Sequence, residues 1–316
     1  MAKSVAKITL GIDAAKVELV ICNWTQQETT TLPNQRTEIR AFLKSFHGPL
    51  RIAIEPTSHY HMILVEEALA QGHEVYLVNA RQLAHYREAV DVRNKTDSQD
   101  AWLLARFLER EADLLRPFQP RDPRAQRIWA LILRRATVVQ SRQQLQQSFA
   151  EVNLSIQAVL TQFQNLLKRI DRHITQLIRE MGWWPDYLRC LSIPGVGPVN
   201  AAALVTAYHR GAFSGSNAFV AFMGLDIRVR ESGQYKGKSK LSKRGEPELR
   251  RLLFCAGKGA CSYQRFADYR QRMLDNGRCK IAARVALSRK LARIAFALMQ
   301  KEETFIKQEK THCMAP

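Results

Sequence analysis

Short apolar runs alternate with amphipathic stretches over the first 115 residues. "KITLGIDAA" and "VELVICNW" read as two strands of a hairpin, "EIRAFLKSF" as a helix and "LRIAIEP" as a buried strand. "YHMILVEEALAQG" reads as a helix stopped by Gly72, "HEVYLVNA" as a strand, and "RQLAHYREAV" and "SQDAWLLARFLER" as helices. That order predicts an α/β layer with a mixed sheet.

Pro117, Pro120 and Pro123 mark a boundary, and no further proline occurs until Pro185. Between them Leu145, Phe149, Val152, Ile156, Val159, Phe163, Leu166, Ile170, Ile174 and Leu177 recur every three or four positions. This near-heptad seam predicts a long helix or helical hairpin with coiled-coil-like pairing, and leaves open whether the partner helix is in the same chain or a second one. Three domains are therefore expected: an α/β domain over 1–115, a coiled-coil linker or oligomerisation arm over 116–184, and a mostly helical domain over 185–316. The last begins with "LSIPGVGPVNAAALVTAY", whose Gly195 and Gly197 make a tight turn before a small-residue helix. It resembles the hairpin of a helix-hairpin-helix module, a binder of DNA backbone, although an ordinary helix connection accounts for both glycines as well.

Charge narrows the partner. Forty-eight Lys and Arg against 29 Asp and Glu give +19 and a pI near 10.0, so an anionic partner is expected, with DNA or RNA ahead of a membrane surface. No window reaches the ~18 consecutive apolar residues of a spanning helix, and "MAKSVAKITLGID" lacks the features of a leader. A cytoplasmic, nucleoid-associated protein with no membrane partner is expected. Six scattered cysteines, without a C-x-x-C pair, read as reduced and mostly buried thiols.

In so basic a chain the carboxylates stand out. Asp13 ends "KITLGID" and Glu55 ends "LRIAIE", at the C-terminal ends of predicted strands. Asp97 and Asp100 lie three apart on one helix face. Such a pair is tolerable at a helix N-terminus, where it caps and meets the helix dipole. It also suits a divalent cation, since Mg²⁺ takes carboxylate oxygens together with water and substrate phosphate.

Asp13 in "GIDAAK", Glu55 in "IAIEPT" and the pair in "RNKTDSQDA" resemble the D-E-D-D tetrad of the RuvC-like, RNase H-like domain in the DEDD transposases of bacterial insertion sequences. Pilin-gene invertases and bridge-RNA-guided recombinases belong to the same family. "LSIPGVGPVNAAALV", "AFMGLDIRVRESG" and "LSKRGEPELRRLL" resemble its C-terminal transposase domain in the same order, so the likeness covers nearly the whole chain. One departure is Ser58, where a glycine often follows the Glu-x-Thr element. The resemblance implies that Asp13, Glu55, Asp97 and Asp100 bind Mg²⁺ or Mn²⁺.

A basic loop completes the candidate chemistry. Arg228, Arg230, Lys236, Lys238, Lys240, Lys243 and Arg244 surround Ser232, Ser239 and Ser242, a composition suited to tracking phosphates. A hydroxyl there can attack a phosphodiester or merely contact one, and the residues alone do not choose among the serines. The resemblance picks Ser232, in "GLDIRVRESG", as nucleophile, and leaves Ser242 a cap or phosphate contact. It implies a DNA recombinase that works through a covalent phosphoserine on donor and target DNA, guided by a structured non-coding RNA and assembled as dimers pairing into tetramers. A RuvC-like junction nuclease, a site-specific invertase and a non-catalytic nucleic-acid-binding regulator are the alternatives.

Overall fold

The computed structural model describes residues 7–306 apart from Thr57, Arg93, Lys95, Arg121, Asn153, 229–230, 233–234 and 237–239. The chain divides into two compact units, Met1–Pro120 and Arg121–Pro316.

In the first unit the strands are β1 (Ile8–Ala14), β2 (Glu18–Asn23), β3 (Glu28–Pro33), β4 (Leu50–Ile54) and β5 (Glu74–Leu77), and the helices are α1 (Arg36–Lys44), α2 (Met62–Ala70), α3 (Ala80–Ala89) and α4 (Asp97–Arg110). The sheet order is β3-β2-β1-β4-β5. β1 pairs antiparallel with β2 and parallel with β4, which in turn is parallel to β5. Alternation along β1 sorts its side chains onto two faces. Leu10 and Ile12 join Ile52, Ile54, Ile39, Leu43 and Leu64 beneath α1 and α2. On the other face Ala101 and Ala105 of α4 pack with Val20 and Cys22. This is the mixed α/β layer expected from the order of strands and helices. β3 is the addition: "ETTTLP" is an almost wholly exposed edge strand, and with no apolar face to bury it carries no hydrophobic period.

The second unit opens with two long helices, α5 (Pro123–Ser148) and α6 (Gln157–Glu180), followed by α7 (Trp184–Leu191), α8 (Pro198–Tyr208) and α9 (Ser216–Phe222). Four two-residue strands come next: β6 (Ile227–Arg228), β7 (Glu231–Ser232), β8 (Tyr235–Lys236) and β9 (Lys240–Leu241). The helices α10 (Pro247–Ala260), α11 (Gln264–Asp275) and α12 (Lys280–Lys301) finish it.

The α5–α6 hairpin is antiparallel and is tied across by Arg135, whose Nε and Nη2 donate to the Asp171 carboxylate at 2.6 and 3.2 Å. Its buried seam is shifted from the one the spacing suggests. Leu160 and Leu167 turn inward with Ile170, Ile174 and Leu177, while Val152, Val159 and Leu166 are 53%, 48% and 42% exposed. Both α6 stripes have seven-residue spacing, so periodicity alone does not decide which one faces α5. Near the base, Ile128, Trp129 and Ile132 of α5 enter the same core as Phe219, Phe296 and Leu253, so these helices share the hydrophobic core of the C-terminal helices.

The cysteines differ from expectation. Cys22 and Cys190 are buried, but Cys255 and Cys279 are exposed because they fall on outward positions of their segments; Cys313 lies outside the described residues.

Candidate active site

The acids are positioned by one close approach. A Cβ built on Gly11 would lie 2.1 Å from the Ala101 carbonyl oxygen and 2.2 Å from the Ala105 nitrogen. Only a residue without a side chain lets α4 lie against β1 at this distance. The helix then runs antiparallel to the strand. At one end Thr9 donates its hydroxyl to the Glu109 carboxylate at 2.7 Å, and Arg51 donates to the same oxygen at 2.6 Å. At the other end the first turn of α4, carrying Asp97 and Asp100, faces the C-terminal end of β1.

Asp13 and Glu55 arrive at that same end. The parallel register pairs Ile12 with Ile54, so each acid is the next residue along its strand. The four carboxylates interact: Asp13 is pushed up from 3.8 to about 6, first by burial and then by the negative charges of Asp97, Asp100 and Glu55, against one backbone hydrogen bond from Ala14 that favours the ionised form. Repulsion among hard oxygen donors is what a divalent cation neutralises, and in this respect the set fits Mg²⁺ or Mn²⁺. Among the described residues no three acid, His or Cys side chains are already gathered at ligating distance.

Capping and clustering act together at α4. Thr96 is the N-cap, its Oγ1 accepting from the Gln99 backbone nitrogen at 3.3 Å. The cap is therefore Thr96, which leaves the exposed Asp97 free of that duty. Asp100 is buried, and its carboxylate accepts from the Nη2 of Arg87 on α3, with side-chain exposures of 10% and 18%. The sequence reading missed Arg87 because its contact is tertiary, and Gly11 because one glycine in a strand carries no signal of a helix approaching. Ser58, just past Glu55, has φ of +50°, a left-handed conformation that glycine adopts without strain.

In the second unit Ser232 is an exposed residue of β7, paired with Tyr235 of β8. Its hairpin emerges from the β6–β9 ladder, where Ile227 pairs with Leu241 and Arg228 with Lys240. A clasp closes the base. The Ser242 hydroxyl donates to the Asp226 carboxylate, its backbone nitrogen donates to the Asp226 carbonyl at 2.9 Å, and the Lys243 nitrogen donates to the Gly224 carbonyl at 3.2 Å. Ser242 thus joins the "FMGLD" and "LSKRG" segments. Arg228, Lys240, Lys243 and Arg244 are exposed around the hairpin. Arg230, Lys238 and Ser239 lie outside the described residues, as does the side chain of Lys236.

The two turn glycines have separate explanations. Gly195, at φ +84°, would drive a Cβ to within 2.3 Å of the Ala260 nitrogen, so packing against α10 requires it. Gly197 is the N-cap of α8, whose first residue is Pro198. The proline removes one of the N–H groups a phosphate could use there.

A transposase family model matches residues 10–163, and the transposase IS116/IS110/IS902 family model matches residues 188–271. The two matches take in both halves of the geometry, the acids and the serine hairpin. The chain belongs to this transposase family. Pilin gene-inverting proteins of Moraxella lacunata and Moraxella bovis are each 28% identical to it over 324 residues, 96% of this chain and 99% of the relative. A transposase for insertion sequence element IS1328 of Yersinia enterocolitica is 34% identical over 125 residues, 38% of this chain and 37% of the relative. Membership makes DNA the substrate class and DNA rearrangement the activity. The five-stranded mixed sheet is consistent with a RuvC-like domain. Among the described residues, no helix of this family member is long and apolar enough to cross a membrane.

Proposed function

We propose that the chain is a DNA recombinase of an insertion sequence that cuts and rejoins strands through a covalent link to Ser232. The observation that carries the reading is that Asp13, Glu55, Asp97 and Asp100 lie at one end of the sheet, where burial first and then the charges of the other three raise Asp13 to about 6. These four residues would hold Mg²⁺ or Mn²⁺, which when bound offsets charge on the scissile phosphate. The Ser232 oxygen attacks phosphorus, one deoxyribose oxygen leaves, and a net proton passes from the serine to the leaving group. Attack on the phosphoserine by a new strand's hydroxyl reverses these changes and frees the serine, so the phosphoester bond energy is retained. The exposed cations beside the hairpin counter the negative oxygens of the phosphate.

Several active sites must act together in strand exchange, so the working form is an oligomer, dimers pairing into tetramers. The exposed Val152, Val159 and Leu166 edge of the α5–α6 arm supplies apolar surface for it. A structured guide RNA chooses the sites, in keeping with the family likeness and the surplus of cations. The pilin gene-inverting relatives, matched along 96% of this chain, favour a second outcome of the same chemistry: inversion of a segment rather than its transfer. Product topology separates the two.

The deciding experiment is trapping. Protein, DNA carrying the element's ends and Mg²⁺ are incubated and denatured, and the protein is digested to locate a phosphodeoxyribose adduct. An adduct on Ser232, lost in Ser232→Ala, is expected. Strand cleavage that survives Ser232→Ala but is lost in Asp97→Ala would replace the proposal with hydrolysis by a junction nuclease.

A further inference from the structure

A cleft of about 400 Å³ opens at the base of the serine hairpin, between the β6–β9 ladder and the helices α11 and α12. Its apolar side includes Tyr269, Met273, Ile281 and Val285. Among the described residues its cations are Lys240, Arg278 and Arg289, and no carboxylate lines it. Ile227 and Ile281 on the rim are 46% and 68% exposed and extend the apolar lining to the mouth of the cleft.

Arg289 is the most informative member. Its Nε is buried and has no hydrogen-bond partner among the described residues, although a buried guanidinium N–H ordinarily finds an acceptor. Burial and the neighbouring Arg293 both disfavour its charge, while Tyr269 and Asp226 lie within electrostatic reach on the other side. Asp226 is already engaged by the Ser242 hydroxyl. An apolar slot with an aromatic, a thioether, a guanidinium whose Nε lacks a partner and two further cations matches an occupant that is flat at one end and anionic at the other.

We propose that this cleft receives one unstacked nucleotide of a bound single strand, its base against Tyr269 and Met273 and its phosphate facing Arg289. The cleft shares the β6–β9 ladder with the Ser232 hairpin, so a nucleotide seated there fixes the register of the strand beside the attacked phosphate. This rests on the recombinase reading and adds to it a subsite that selects conformation, favouring a strand with one base turned out of the stack. The same chemistry serves a DNA or an RNA strand.

The test uses the full chain and two oligonucleotide probes, a thymidine 12-mer and a uridine 12-mer, each with a central 5-iodouracil for photocrosslinking. Crosslinked peptides are located by mass spectrometry. Adducts on Tyr269 or Met273 are expected. Ile281→Glu, a change at a rim position that leaves the thermal midpoint in place, is expected to reduce their yield at least fivefold. Arg289→Gln is expected to weaken binding of the preferred probe about threefold or more. The probe with the higher yield identifies the strand. Adducts confined to other peptides and indifferent to Ile281→Glu overturn the subsite while leaving the recombinase reading intact. No binding of either probe overturns the subsite, and the Ser232 adduct experiment decides the recombinase reading separately. A changed oligomeric mass in Ile281→Glu with unchanged adducts assigns the cleft to a protein interface and also overturns it.

Discussion

Replacing Asp13 by Asn is expected to make the metal-free protein more stable while abolishing strand cleavage. The magnitude follows from the burial of Asp13 and, after it, from the neighbouring acids. A carboxyl moved from 3.8 to about 6 costs, at ~1.4 kcal/mol per factor of ten, roughly 3 kcal/mol to keep ionised at neutral pH. Asp13 is only partly buried, and solvent screening reduces this to about 1–2 kcal/mol. The sign is set by proton uptake: with its native value above its unfolded one, Asp13 binds more protons folded than unfolded between 3.8 and about 6. Wild-type stability therefore falls as pH rises through that window, and Asn is spared the loss. The variant should melt about 2–6 °C higher at pH 7.5, and its advantage should shrink to about a third at pH 4.5. Differential scanning calorimetry in a chelator measures both. Millimolar Mg²⁺ should then raise the wild-type midpoint more than the variant's. Equal midpoints at pH 7.5, or a gain unchanged by acid, would show that neither burial nor the neighbouring carboxylates burden the ionised Asp13 and would weaken the reason to expect a cation there.

Three other outcomes follow from the geometry. Arg87→Gln strands the buried Asp100 carboxylate and should lower metal-free stability by about 2–4 kcal/mol; Mg²⁺ should restore more of the loss than it adds to wild type, as read from melts with and without the ion. Ser58→Gly should raise stability by about 0.5 kcal/mol, since glycine takes the positive φ at Ser58 without strain; urea titration measures it, and a loss of stability would contradict it. Val159→Glu with Leu166→Glu, both at exposed positions of α6, should leave helix content unchanged and lower the oligomer mass in multi-angle light scattering. An unchanged mass would place the subunit contacts elsewhere.

Much of this architecture is legible in the sequence because its cause is local. The runs in β1, β2, β4 and β5 announce themselves by composition, and Gly72, at φ +79°, ends α2 as its position suggests. Asp13 and Glu55 are readable as strand-end acids, and Asp97 and Asp100 as a helical pair. What remains hidden is tertiary. Gly11 matters only because α4 presses on it, and Arg87 only because α3 brings it to Asp100. The α6 seam misleads for a related reason: two stripes share one period, and the position of α5 selects between them. Ser242 and Asp226 are distant in sequence and meet only once the hairpin closes. Ser232 is separated from its rivals by the family likeness alone, and its exposed place on a hairpin is compatible with attack.

The α5–α6 hairpin also acts as a ruler. Its helices have 26 and 24 residues, but Ile128, Trp129 and Ile132 of α5 and Ile170, Ile174 and Leu177 of α6 lie in the helical core, so the part that projects from it reaches about 20–24 Å at ~1.5 Å per residue. Whatever meets its tip is held about 20–24 Å, roughly two-thirds of a duplex turn, from the helical core that carries the serine. Removing seven residues from each helix would shorten that span by about 10 Å with the buried stripe still in phase. Removing four would turn the tip relative to its base, so spacing and facing can be varied separately by the length of the cut.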